Sequence, residues 1–80
     1  MATLAKTRAK YIESIRNREE FKSSTGNLWA QWEGDGKQYV IYSYSTPIGG
    51  YEFGAWWVNE TKYSVTTTHH QHIVRMAIDS

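Results

Sequence analysis

Apolar residues recur at spacings of three and four near the start of the chain. Leu4, Ala5, Ala9, Ile12 and Ile15 make one stripe, and charged residues mostly fill the opposite side. That is the pattern of an amphipathic helix, with Thr3 placed as its N-cap. The spacing predicts a helix from Thr3 to about Arg18, within a basic amphipathic segment over residues 1–21. "KSSTGN", residues 22–27, breaks the period with turn-forming residues.

The period then changes to two. "NLWAQWEGDGKQYVIYSYST" holds two alternating runs around Asp35-Gly36, which suits a two-residue type I′ turn because both central positions need positive φ. A second turn is expected at Gly49-Gly50 in "PIGGYEF", with "EFGAWWVNE" as the third strand. Pro47 lacks an N–H and belongs at a strand end or a bulge. With Asp35-Gly36 as the loop, Trp32 pairs with Tyr39, Ala30 with Ile41 and Leu28 with Ser43. With Gly49-Gly50 as the next, Ile48 pairs with Tyr51, Thr46 with Phe53, Tyr44 with Ala55, Tyr42 with Trp57 and Val40 with Asn59. Alternation then makes two faces. Leu28, Ala30, Trp32, Tyr39, Ile41, Trp56 and Val58 form the one richer in aliphatics, the expected core. Trp29, Gln31, Glu33, Val40, Tyr42, Tyr44, Phe53, Ala55, Trp57 and Asn59 form an aromatic and polar surface.

After this sheet region, residues 27–65, a second helix is expected over residues 67–78. Thr66, Thr67 or Thr68 would cap it, and Ile73, Val74, Ala77 and Ile78 would supply its buried side. The architecture expected is α+β: a three-stranded antiparallel β-meander with an N-terminal and a C-terminal α-helix, α-β-β-β-α, in one domain of 80 residues.

Composition narrows the chemistry. No cysteine is present, so disulfides, thiolate zinc sites and cysteine catalysis are excluded. The opening "MATLAKTRAKYIESIRN" carries charges throughout and lacks the apolar run of a signal peptide. No apolar run is long enough to span a bilayer. The formal net charge is +1, but residues 1–22 carry six basic and three acidic side chains, and residues 23–80 carry three and five. The basic end suits phosphate or an acidic surface, or a solvated helix face with its own ion pairs. Ten of the twelve aromatic residues fall between Trp29 and Tyr63.

His69, His70 and His72 sit together in "KYSVTTTHHQHIVRM". On a helix, His69 and His72 share a side and His70 points about 100° away. No further metal-ligand pattern accompanies them, so neither metal nor cofactor is expected. Nothing marks a nucleophile elbow for Ser64, Thr66 or Thr67 beside His70, and no Walker lysine follows the glycines of "GGYEFG". The aromatics are the better candidates. Exposed Trp and Tyr stack unpaired bases at about 1–3 kcal/mol each, although the sheet region is slightly acidic. The same residues favour protein interfaces, and a free strand edge can extend a partner's sheet.

"YVIYSYSTPIG…WWVNETKYSVTTTHHQHIV", about half the chain, resembles a group of short uncharacterised bacteriophage proteins. They share a "YVVYSYxTxIA" run followed by "W.V….KYSVTTSxHQ". Tyr42, Ser43, Tyr44, Thr46, Trp57, Tyr63, Ser64, Thr66, Thr67, His70 and Gln71 carry the match. His69 and His72 lie outside the pattern. The resemblance implies life in the cytoplasm of an infected bacterium and, for small proteins of this kind, binding to a host protein. It also implies a structural junction of Tyr63, Thr67, His70 and Gln71 between sheet and helix.

The functional expectation is therefore a non-enzymatic protein that binds a host protein, inhibiting a host or defence system. Trp29, Tyr42, Tyr44, Phe53 and Trp57 would make the contact. The alternative is a single-stranded nucleic-acid binder that adds Lys6, Lys10 and Arg16. No membrane partner is expected.

Overall fold

Seven elements follow one another: α1 (Thr3–Arg16), β1 (Phe21–Lys22), β2 (Leu28–Glu33), β3 (Gln38–Ser43), β4 (Thr46–Glu52), β5 (Ala55–Val58) and α2 (Val65–Asp79). They are seen in a computed structural model that describes residues 3–61 and 63–79, with backbone alone over residues 3–8. Lys62, and the side chains of Thr3, Leu4, Ala5 and Lys6 invoked above, lie outside the described residues. The five strands form one antiparallel sheet in the order β1-β2-β3-β4-β5.

The first hairpin has the expected register, with Leu28 opposite Ser43, Ala30 opposite Ile41 and Trp32 opposite Tyr39. Gly34, Asp35 and Gly36 have φ of 59°, 59° and 82°, and the Lys37 N–H bonds the Glu33 carbonyl at 3.1 Å and the Gly34 carbonyl at 3.3 Å. The register is the expected one, but the strands close at Glu33–Gln38 and the loop is the four residues 34–37, not a two-residue type I′ turn.

Beyond Ser43 the expected meander is wrong: the sheet has five strands, and Gly49-Gly50 is the interior of β4 rather than a turn. Close approach explains both glycines. A Cβ on Gly49 would lie 2.8 Å from Val74 Cγ1, so glycine lets α2 settle on the sheet. A Cβ on Gly50 would lie 2.3 Å from the Tyr39 carbonyl and 2.8 Å from Trp57 Nε1. The turns fall instead at Tyr44-Ser45 and Phe53-Gly54, with φ of 58° at Tyr44, 53° at Phe53 and 78° at Gly54. Val40 therefore pairs with Gly50, Tyr39 with Tyr51, Tyr42 with Pro47 and Gly50 with Trp57. Pro47 stands beside a bulge, since Tyr42 faces Pro47 while Ile41 faces Gly49 and Ile48 is left over.

The helix ends differ from expectation as well. α1 stops at Arg16, where the Arg18 N–H bonds the Ile15 carbonyl at 2.9 Å and the Glu19 N–H bonds the Ser14 carbonyl at 2.8 Å. With Arg18 at φ 54° this is a Schellman motif built without glycine. The sheet anchors it: Trp32 Nε1–H donates to the Arg18 carbonyl at 3.0 Å and the Tyr39 hydroxyl to the Glu19 carbonyl at 2.6 Å. α2 starts at Val65, and its cap is Ser64 rather than a threonine, because Ser64 Oγ accepts the Thr67 N–H at 3.2 Å.

Ile12 and Ile15 from α1 and Ile73, Val74 and Ala77 from α2 share one cluster with Leu28, Ala30, Tyr39, Ile41 and Ile48. Both helices thus cover one face of the sheet. It is the aliphatic face that alternation selected, with Trp32, Trp56 and Val58 at its margin. Among the described residues no helix is long and apolar enough to cross a membrane.

Candidate functional site

The register sets the other face in three cross-strand rows. Lys22, Trp29, Tyr42 and Pro47 make the first; Gln31, Val40, Gly50 and Trp57 the second; Glu33, Gln38, Glu52 and Ala55 the third. Among the described residues no helix lies over these rows. Trp29 and Tyr42, directly opposite one another, stack with ring centroids 4.2 Å apart and planes 12° from parallel. Such a pair adds about 0.5–1.5 kcal/mol beyond its area. Trp57 lies over Gly50, in the space a side chain there would need.

Hydrogen bonds fix the stack. Trp29 Nε1–H donates to the Tyr44 carbonyl at 2.8 Å. The Tyr42 hydroxyl donates to Glu33 Oε2 at 2.5 Å, and Gln31 Nε2–H donates to the same oxygen at 2.7 Å. The Tyr42 bond, and secondarily the Gln31 bond, hold the Glu33 carboxyl below its ordinary pKa. The same Tyr42–Glu33 bond pushes the Tyr42 hydroxyl up to about 12. The aromatic pair is thus pinned at both ends by hydrogen bonds. Glu33 and Gln31 were assigned to this face by the first hairpin's register. Their bonding to Tyr42 was not foreseen, although the two-row spacing of Tyr42 and Glu33 held the clue.

Trp29, Tyr42 and Trp57 therefore share one surface. Tyr44 and Phe53 do not join them: each occupies a turn, at opposite ends of the sheet. Phe53 is 89% exposed. Tyr44 sits towards α2, its ring centroid 6.4 Å from that of His70. The charges of the rows are Lys22 against Glu33 and Glu52, so no basic track follows the aromatics. Lys10 and Arg16 are exposed on α1, in the helix layer. Lys10 lines a groove with Lys22 at the β1 edge.

The sheet–helix junction is a polar cluster. Ser43 is fully buried on the core face; its Oγ donates to Thr67 Oγ1 at 3.1 Å and lies 2.7 Å from His70 Nδ1. With the Ser43 proton given to Thr67, His70 is the donor through Nδ1–H. Burial, and then the neighbouring charge of His69, push the His70 pKa below its ordinary value. With Nδ1 carrying the proton, His70 orients Ser43 and does not act on it as a base, and Ser43 is sealed from solvent. Gln71 gives both amide protons to the chain leaving the sheet, at 2.6 Å to the Asn59 carbonyl and 3.0 Å to the Thr61 carbonyl. Tyr63 accepts a bond from Asn59 Nδ2 at 3.1 Å. His69 and His72 face away and line a groove on the outer side of α2 with Val65 and Met76.

Residues 6–76 match the model of a family of unknown function (DUF8033). No curated protein and no solved structure matches the chain.

Proposed function

The chain belongs to this family of unknown function, and on that premise we propose that it is a non-enzymatic protein-binding module. Its contact is the uncovered sheet face of Trp29, Tyr42 and Trp57. The observation that carries the reading is the stacked Trp29–Tyr42 pair, held without a covering helix by the Tyr42–Glu33–Gln31 bonds. Rigid, partly exposed Trp and Tyr are the residues that anchor protein interfaces. The mixed charge around them suits a protein better than a polyanion, which would meet two carboxylates and one lysine. The resemblance of Tyr39–Val74 to short phage proteins adds a bacterial host protein as the partner, and inhibition of a host or defence system as the outcome. Lys22 beside Trp29 supports the second occupant, a single-stranded nucleic acid, in which bases would stack on the same rings.

Chemical cross-linking in bacterial lysate, mapped on this chain, tests the first reading. Cross-links should surround the three rows, and Trp29→Ser with Trp57→Ser should abolish capture while the far-ultraviolet spectrum is unchanged. Capture that survives both substitutions sinks the proposal. Saturable quenching of tryptophan fluorescence by a single-stranded oligonucleotide, weakening steeply with salt, would move the face to the second occupant.

A further inference from the structure

We propose that β5 is a pairing edge for a second copy of this chain, giving a two-fold dimer with one continuous sheet. The inference does not depend on what the uncovered face binds. It rests on a difference between the two edges of the sheet.

Along β2, on the side turned away from β3, each of the outward positions Leu28, Ala30 and Trp32 has a partner. Leu28 exchanges bonds with Ser23, its N–H going to Ser23 Oγ at 3.2 Å and its carbonyl accepting the Ser23 N–H at 2.8 Å. Ala30 is paired with Phe21 of β1. The Trp32 N–H donates to Glu20 Oε2 at 2.9 Å. A carboxylate there also repels an incoming strand's carbonyls. This is how a sheet closes an edge.

β5 has none of these devices. The Asn59 N–H bonds the Ile48 carbonyl at 2.9 Å, which fixes the alternation: Ala55, Trp57 and the Asn59 N–H turn to β4, while the Asn59 carbonyl is taken by Gln71. Trp56 and Val58 turn theirs outward. Among the described residues no strand lies beyond β5. It carries no lysine, proline or bulge. Its one bulky outer-face ring, Trp57, leans over Gly50 towards β4 and leaves the flank clear.

The sequence "AWWVN", Ala55–Asn59, is self-complementary at this edge. With Trp57 on the two-fold axis, Trp56 of each copy meets Val58 of the other, and their outward groups make four N–H···O bonds. The segment contains no charge, so no like charges oppose. The nearest, Glu60, is already paired with Arg75 of its own α2. A second copy also brings a strand that is ordered in advance, whereas a loose peptide loses about 1–2 kcal/mol per residue in becoming one.

Amide hydrogen exchange and sedimentation equilibrium of the intact protein, from about 10 μM to about 1 mM, test this. The expected result is a concentration-dependent dimer in which the amides of Trp56 and Val58 slow by about tenfold or more. Those of Ala55 and Trp57, already bonded to β4, stay as they are. Trp57→Lys, which sets two ammonium groups across the axis, should give a monomer, and Trp29→Lys on the same face should leave the dimer. A monomer across the whole range, protection gained elsewhere, or a dimer retained by Trp57→Lys would each overturn the proposal.

Discussion

Phe53 holds a conformation that its side chain does not favour. It is the first residue of the β4–β5 turn, at φ 53°, followed by Gly54 at 78°. Left-handed backbone costs an ordinary L-residue about 1–2 kcal/mol, and less for Asn, whose short polar side chain bonds locally. Burial offers little in return. Phe53 is 89% exposed. The remaining tenth of a side chain of roughly 200 Å² is worth about 0.5 kcal/mol at about 25 cal/mol per Å². Phe53→Asn should therefore stabilise the protein, by about 0.5 kcal/mol once the lost area is counted. Phe53→Val should destabilise it by about 1 kcal/mol, because a β-branched side chain fits φ > 0 worst. Thermal and urea unfolding followed by circular dichroism reads the difference. A gap of about 1.5 kcal/mol corresponds to roughly 6–12 °C between Asn and Val in a domain of this size. The order Asn, Phe, Val from most to least stable is the expected outcome. Apolar burial alone gives the reverse ranking of Val and Asn, so a valine variant as stable as the asparagine variant would refute the conformational account.

Three further outcomes follow from the structure. Gly50→Ala should cost about 2 kcal/mol or more in urea unfolding, because its Cβ would sit 2.3 Å from the Tyr39 carbonyl, where no side-chain rotation can relieve it. Ser64→Ala should cost about 1 kcal/mol by leaving the Thr67 N–H without its cap, and Ser64→Asp should restore it. His70, its pKa lowered by burial, takes its proton at the ordinary 6.5 when unfolded and only at lower pH when folded. Its stabilising effect is therefore complete above 6.5 and lost as pH falls below it, so urea midpoints should drop between about pH 7 and about pH 5.5. His70→Gln should flatten that dependence.

Periodicity alone carried a good part of the fold. The change from a spacing of three and four to a spacing of two separates α1 from the sheet. Asp35-Gly36 then sets the β2–β3 register residue by residue, because a loop centred there leaves the same pairing whether it holds two residues or the four it has. From that register the core face follows, and so do the neighbours Trp29 and Tyr42 and their common face with Glu33. Local signals were sufficient there because each determinant lies within a few residues of what it determines.

The tertiary structure decided the rest. Gly49-Gly50 reads as a turn because glycine is the usual turn residue. Here it is needed for the close approach of Val74 from α2 and of Trp57 from β5, partners distant or unknown in the local sequence. The actual turns carry Tyr44 and Phe53, residues that local preference argues against and that the surrounding pairing forces to positive φ. Once those turns move, β3, β4 and β5 replace the two strands expected on either side of Gly49-Gly50, Trp57 comes to lie opposite Gly50 rather than Tyr42, and Tyr44 and Phe53 leave the face they were assigned to. Which side the helices cover was legible from alternation. That the other side stays open, with one sheet edge closed by Glu20 and Ser23 and the other bare, depends on contacts across the whole chain, where no local pattern records the geometry.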